Sequence, residues 1–173
     1  MAQPKGKRLK TCLPTCTFHQ PLSGKQMEIF EQDDVALPRV AAYFRKITQE
    51  EEKNAQTLLD YQTERGGHYC PKNIQKPRCE SVRNILQALE LTCHQWKTAA
   101  SFLEELYALS KSLADPHTAS FVKKRLLVPK IERIKVAGDL ITNANRLGCS
   151  DDGEMSFGEY LIDRLQEELK PSA

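Results

Sequence analysis

FEQDDVALPRVAAYFRKITQEEEKNAQTLLDYQTERGG, residues 30–67, predicts one long amphipathic helix with a stop signal at each end. Asp33 or Asp34 is placed to cap its start by accepting a hydrogen bond from a free backbone N–H. Gly66 and Gly67 are placed to end it, because glycine adopts the left-handed turn that closes a helix. Between these signals a stripe recurs at steps of three and four residues: Val40, Phe44, Ile47, Glu51, Ala55, Leu58 and Gln62.

One member of that stripe, Glu51, is a carboxylate, and Asn54 follows one turn later on nearly the same face. A buried carboxylate is costly unless it is paired or binds a metal. Carboxylate-bridged diiron bundles use a Glu-x-x-His pair to point two ligands into the core, and here the imidazole position holds an amide. The stripe therefore predicts that Glu51 either binds a metal or is paired with a base.

The motifs along the chain resemble those of animal ferritins. DDVAL (33–37), the pair Glu50–Glu51 and YQTERGG (61–67) resemble the second helix of that family, and the similarity continues in register through KNIQKPRC (72–79), ADPH (114–117), AGDLITNANRLG (137–148) and GEYLIDRL (158–165). It covers roughly residues 30–165. The resemblance implies a ferritin-like four-helix bundle with a long crossover and a short C-terminal fifth helix, and an iron-storage role in an oligomeric cage.

Composition agrees with an all-α protein that acts inside the cell. The chain has 173 residues, of which 40% are hydrophobic and 7% aromatic, and the alternation typical of strands is scarce. No apolar run approaches the roughly 18–20 residues that span a bilayer, and the basic N-terminus lacks a secretory core segment. We therefore expect a cytoplasmic protein with free thiols at all six cysteines: Cys12, Cys16, Cys70, Cys79, Cys93 and Cys149.

The N-terminal 29 residues differ from the rest of the chain. Residues 1–27 carry five basic side chains and no acidic one, and three prolines break any long helix. We predict a divergent, basic, disordered tail at 1–29, a ferritin-like helical domain at 30–168 and a C-terminal tail at 169–173. The resemblance places Cys16 and Ser23 where the family's first helix carries a ligand glutamate and a tyrosine, so we expect that helix to be absent or irregular.

Two more specific interpretations of this tail have less support from its residues than a disordered tail has. Cys12, Cys16 and His19 have possible zinc-ligand spacing, but no clear fourth ligand accompanies them. PKGKRLK (4–10) is compatible with a nuclear-import or anion-binding patch.

Three further segments complete the predicted bundle. A connection at 65–78 leads to a second long helix at about 80–113, with a stripe of Val82, Leu86, Leu89, Cys93, Trp96, Ala100, Leu103 and Tyr107. Asp115 and Pro116 start a third helix that runs to about Arg146 and is kinked at Pro129; its expected core residues are Phe121, Val122, Leu126, Ile131, Ile134, Leu140, Ile141 and Ala144. Ser156 and Glu159 have capping-box spacing for a last helix through Leu165.

The resemblance also assigns the positions of the family's diiron ligands. Two glutamate positions fall on Glu50 and Glu51, which are the residual candidates for binding iron. The histidine position falls on Asn54, another glutamate on Trp96, and a glutamine on Lys130. Lys130 is therefore the candidate partner if Glu51 is paired with a base. An apolar ring and an ammonium in an iron cavity exclude a cation, so we predict that the chain is not an enzyme and lacks ferroxidase activity.

A second altered region follows ADPH. The resemblance implies that an aspartate and a glutamate there line the family's three-fold channel, whereas this chain has Ser120 and Lys123, followed by Lys124 and Arg125. A ring of lysines repels Fe(II). We interpret the retained His117 as a first-turn residue of the helix.

The function expected from these features is that of a catalytically inactive ferritin-family subunit. It would bind ferric iron weakly or not at all, and it would self-assemble or co-assemble with other ferritin subunits, without nucleic-acid or membrane partners. Residues 50–52 resemble the acidic patch of light chains, although a solvated helix face is the commoner meaning of EEEK. The alternative is a degenerate ferritin-like interaction protein that binds a partner helix on surface left by the missing helix.

Overall fold

The computed structural model describes residues 29–68, 82–149 and 157–165. Within these ranges the chain forms a helical bundle, which confirms the predicted all-α class. Its helices are α1 (Pro38–Glu64), α2 (Ile85–Ser112), α3 (Pro116–Phe121), α4 (Val128–Arg146) and α5 (Phe157–Leu165), with a π-helical segment, Val122–Leu127, joining α3 to α4. Residues 1–28 and 169–173 of the predicted tails, the Cys12/Cys16/His19 spacing, Ser156 and most of the predicted crossover lie outside the described ranges.

The core consists of two hydrophobic clusters that follow one another along the bundle. The first cluster includes Phe30, Phe44, Leu89, Leu140 and Ile162, and the rings of Phe30 and Phe44 stack with their centroids 5.7 Å apart. The second cluster is at the opposite end of α1 and α2 and comprises Leu58, Ala100, Leu103, Leu106, Val122, Leu126 and Leu127. None of the helices in the described part of the chain is both long and apolar enough to cross a membrane.

The start of α1 differs from the prediction. Asp33 and Asp34 are exposed in a turn, and the helix begins at Pro38 after Leu37, which makes no side-chain cap. The cap comes instead from α5, where Asp163 Oδ1 accepts hydrogen bonds from the backbone N–H groups of Arg39 (2.8 Å) and Val40 (2.9 Å). A local acid was therefore the wrong assignment, because a residue more than 120 positions away satisfies these donors.

The end of α1 and the path of α2 agree better with the sequence. Gly66 has φ of +74°, the left-handed conformation expected at a helix end. Helix α2 begins at Ile85, later than the predicted residue 80, because Asn84 caps it by accepting a hydrogen bond from Gln87 N at 2.8 Å. Its predicted stripe is buried from Val82 to Leu103, and Tyr107 is half-buried.

The third predicted helix contains a π-helical segment just before Pro129. Val128 donates its backbone N–H to Lys123 O, five residues back, and Pro129 has no N–H to donate. A π-helical turn contains one residue more than an α-helical turn. The side chains that follow it are therefore rotated by about 100° around the helix axis. Lys130 is accordingly buried, whereas Ile131 is 49% exposed, so the prediction that Ile131 belongs to the core was wrong.

Candidate functional site

A buried ion pair lies midway along the bundle, between the first and the second hydrophobic cluster. The Glu51 carboxylate on α1 accepts a hydrogen bond from Lys130 Nζ on α4. The two residues are 5% and 3% exposed, so each charge depends on the other for compensation. The structure confirms the pairing that the position of Glu51 on an apolar stripe predicted.

Arg133 extends this pair toward the surface. Its Nη1 lies 3.3 Å from Glu51 Oε1, and its Nη2 lies 2.6 Å from Glu50 Oε2. Glu50, Glu51, Lys130 and Arg133 together form what we call the charge cluster, with two carboxylates and two cations. The sequence analysis missed Arg133, although its position three residues after Lys130 places both on one helix face.

Trp96 of α2 closes the charge cluster on its apolar side. The indole is 5% exposed, and Lys130 Nζ lies 5.8 Å from the ring centroid. An ammonium over an aromatic face gains a cation–π attraction that is larger when water is excluded. Asn54, at the predicted histidine position, is half-buried one turn after Glu51.

Burial has a measurable consequence for Lys130. Desolvation lowers the pKa of its ammonium from the ordinary value of 10.5, the charge and hydrogen bond of Glu51 oppose this shift, and the charge of Arg133 adds to it. The Glu51 carboxylate is therefore what keeps a positive charge stable at this depth.

The charge cluster is balanced by its own side chains, because Lys130 and Arg133 compensate the carboxylates of Glu50 and Glu51. Across the described ranges, no group of three or more His, Cys, Asp or Glu side chains is placed to hold a metal ion. The two described cysteines, Cys93 and Cys149, are buried thiols; the other four lie outside the described residues.

A hydrogen-bonded junction joins the end of α1 to the start of α3. Tyr61 Oη lies 2.8 Å from His117 Nδ1 and 2.9 Å from Thr118 Oγ1. Asp115 accepts hydrogen bonds from Thr118 N (3.1 Å) and Thr118 Oγ1 (2.8 Å), and from Arg65 Nη2 (2.6 Å). His117 lies in the first turn of α3, as interpreted from the sequence.

The pKa of Asp115 reflects this junction. Partial burial acts to raise the pKa of its carboxyl, but the hydrogen bonds from Thr118 and the charge of Arg65 together hold it below the ordinary value of 3.8. The negative charge of Asp115 is thus compensated by Arg65 and by the hydrogen bonds from Thr118.

Beside the junction lies a cavity of about 590 Å³, which we call the lysine cavity. Its lining comes from the end of α2, the start of α3 and the π-helical segment: Tyr107, Lys111, Ala114, Asp115, Pro116, Ala119, Ser120, Lys123 and Lys124. Ser120, Lys123 and Lys124, which the sequence analysis singled out as altered channel positions, are exposed here. Lys111 lies in the same lining, so three ammonium groups surround this cavity.

Comparison with known proteins agrees with this architecture. Residues 27–147 match the model of the ferritin-like domain. The chain is 36% identical to "Ferritin, middle subunit" of Aquarana catesbeiana over 135 residues, which are 78% of this chain and 75% of the relative. It is 34% identical to the lower subunit of the same organism over 135 residues, 78% of this chain and 76% of that relative. The chain therefore belongs to the animal ferritin family.

Proposed function

We propose that this chain is an iron-storage ferritin subunit that does not oxidise iron itself. The observation that carries the proposal is the buried pair between Glu51 and Lys130. Lys130 contributes the positive charge that an iron ion would otherwise supply to Glu51, and Trp96 fills the apolar side. The negative charge of Glu51 is therefore compensated by protein side chains, without an iron ion.

The energetics of displacement support the same conclusion. For Fe(II) to bind Glu51, the Lys130 ammonium would have to leave a site where both groups are nearly fully buried. Breaking a buried pair by removing one partner costs about 3–5 kcal/mol, and two cations would meanwhile repel the incoming metal. We propose that Glu50 and Glu51, the residual iron positions, act as structural partners of Arg133 and Lys130.

Iron-dependent oxygen consumption tests the proposal. The purified chain, mixed with Fe(II) in air, should consume oxygen no faster than buffer alone. Glu51→Ala should leave that rate unchanged, as should Glu52→Ala, a matched control at the exposed neighbour on the same helix. Consumption above buffer that disappears in Glu51→Ala but persists in Glu52→Ala would overturn the proposal and assign oxidation to Glu51.

We place the chain in the cytoplasm, as part of an assembly with copies of itself or with other ferritin subunits. The two frog relatives are named as subunits. Exposed aromatic side chains on α5 support an assembly surface: Phe157 is 74% and Tyr160 is 50% exposed. The interaction-protein alternative predicts a chain that stays outside such assemblies.

A further inference from the structure

The lysine cavity carries positive charge that no described partner compensates. Lys111, Lys123 and Lys124 line it, and none of the three forms an ion pair with another residue in the described ranges. The single carboxylate in the lining, Asp115, is bonded to Arg65 and Thr118. The field inside the cavity is therefore that of an anion site rather than of a cation path.

The cavity also has apolar walls and a suitable size. Tyr107, Ala114, Pro116 and Ala119 contribute uncharged surface, and Lys111 Nζ lies 5.4 Å from the Tyr107 ring centroid. A volume of about 590 Å³ falls within the roughly 300–1,000 Å³ typical of small-molecule sites. Walls of this kind bind an apolar body, while the lysines orient a charged group at its end.

From this combination we propose that the lysine cavity binds a small phosphomonoester with an apolar body. A phosphomonoester carries close to two negative charges at neutral pH, which suits three ammonium groups better than a monoanion does. Lysine binds phosphate as a point charge, and the Ser120 hydroxyl adds a neutral donor at the same rim. This proposal goes beyond iron storage and does not depend on it.

Calorimetric titration of the full chain with phenyl phosphate, in a buffer free of phosphate, tests the proposal. We expect saturable binding with one ligand per chain. The double variant Lys123→Gln/Lys124→Gln should weaken it by at least about tenfold, a difference of about 1.4 kcal/mol. Lys97→Gln, which removes one exposed lysine of α2 outside the cavity, should bind as the natural chain does.

Two further probes separate the components of the ligand. Inorganic phosphate should bind more weakly than phenyl phosphate if the apolar walls contribute, and benzoate should bind more weakly if the second charge does. Equal affinity for inorganic phosphate or for benzoate would overturn the assignment of a phosphomonoester. So would equal weakening in Lys97→Gln, or the absence of saturable heat up to about 10 mM ligand.

Discussion

At the scale of single residues, the charge cluster shows how a carboxylate on an apolar helix face is compensated by other side chains. Glu51 faces the core in either case, because the helical period of α1 puts it there. What differs is the group opposite: Lys130 presents an ammonium and Trp96 an indole. Both are larger and less like a metal ligand than the side chains the family resemblance implies, and together they keep Glu51 satisfied.

The first prediction concerns this pair. Glu51→Leu should destabilise the chain by about 3–5 kcal/mol, because it leaves a buried ammonium without its carboxylate. Glu51→Leu/Lys130→Met, which replaces both charges by apolar groups of similar size, should recover most of that loss. Urea denaturation of Glu51→Leu, Lys130→Met, the double variant and the natural chain measures the coupling. Additive losses in the double variant would show that the two charges do not depend on each other.

A second prediction concerns Asp115 and acid. Since the folded-state pKa of this carboxyl is lower than its ordinary 3.8, Asp115 stabilises the fold above pH 3.8, and this contribution is lost as pH falls through the folded-state value. Asp115→Asn should therefore flatten the decline in stability as the pH falls below 3.8. Urea midpoints across that range measure it, with exposed Asp139→Asn as control; an unaltered decline in Asp115→Asn would contradict the assignment.

At the scale of elements, the short helix α5 caps the N-terminal ends of α1 and α2. Asp163 accepts hydrogen bonds at the start of α1, and Glu159 Oε1 accepts one from Ile85 N, at 2.9 Å, at the start of α2. Both acids are 1% exposed, and they lie one turn apart on one face. A carboxylate near a helix N-terminus is stabilised by free N–H groups and by the helix dipole.

The third prediction follows from that arrangement. Asp163→Ala should cost about 1–2 kcal/mol, as loss of an N-cap does, with a further contribution from unsatisfied buried N–H groups. Asp139→Ala is the matched control: Asp139 pairs with Lys135 on an exposed helix surface, so its loss should cost under about 0.5 kcal/mol. Thermal or urea unfolding distinguishes them, and equal costs would mean that α5 does not cap α1.

At the scale of the whole molecule, the charge cluster lies between the two hydrophobic clusters. The first cluster draws on α1, α2, α4 and α5, and the second on α1, α2, the π-helical segment and its flanks. The Glu51–Lys130 pair between them is buried, whereas Glu50 and Arg133 of the charge cluster reach the surface. Assembly therefore depends on the side chains that are exposed on the outer surface of the bundle.

The fourth prediction is the native mass. Light scattering on a sizing column should give a mass well above the 19.7 kDa of one chain, either for the chain alone or when it is refolded together with an intact ferritin subunit. Phe157→Ser/Tyr160→Ser should reduce the assembled fraction, because exposed aromatic residues contribute strongly to interfaces. A monomer under both conditions would contradict assembly and favour the interaction-protein alternative.

The sequence by itself determined the helical class and the stripe that buries Glu51, because these follow from local periodicity, and the family, because its motifs occur in register; the resemblance also indicated Lys130 as the partner of Glu51. Tertiary structure alone decided three things: that Asp163 rather than Asp33 or Asp34 caps α1, that Arg133 joins the charge cluster, and that Ile131 faces outward. Caps and ion pairs between distant segments depend on where helices meet, and a π-helical segment shifts the register of every residue after it. Local pattern carries no information about either.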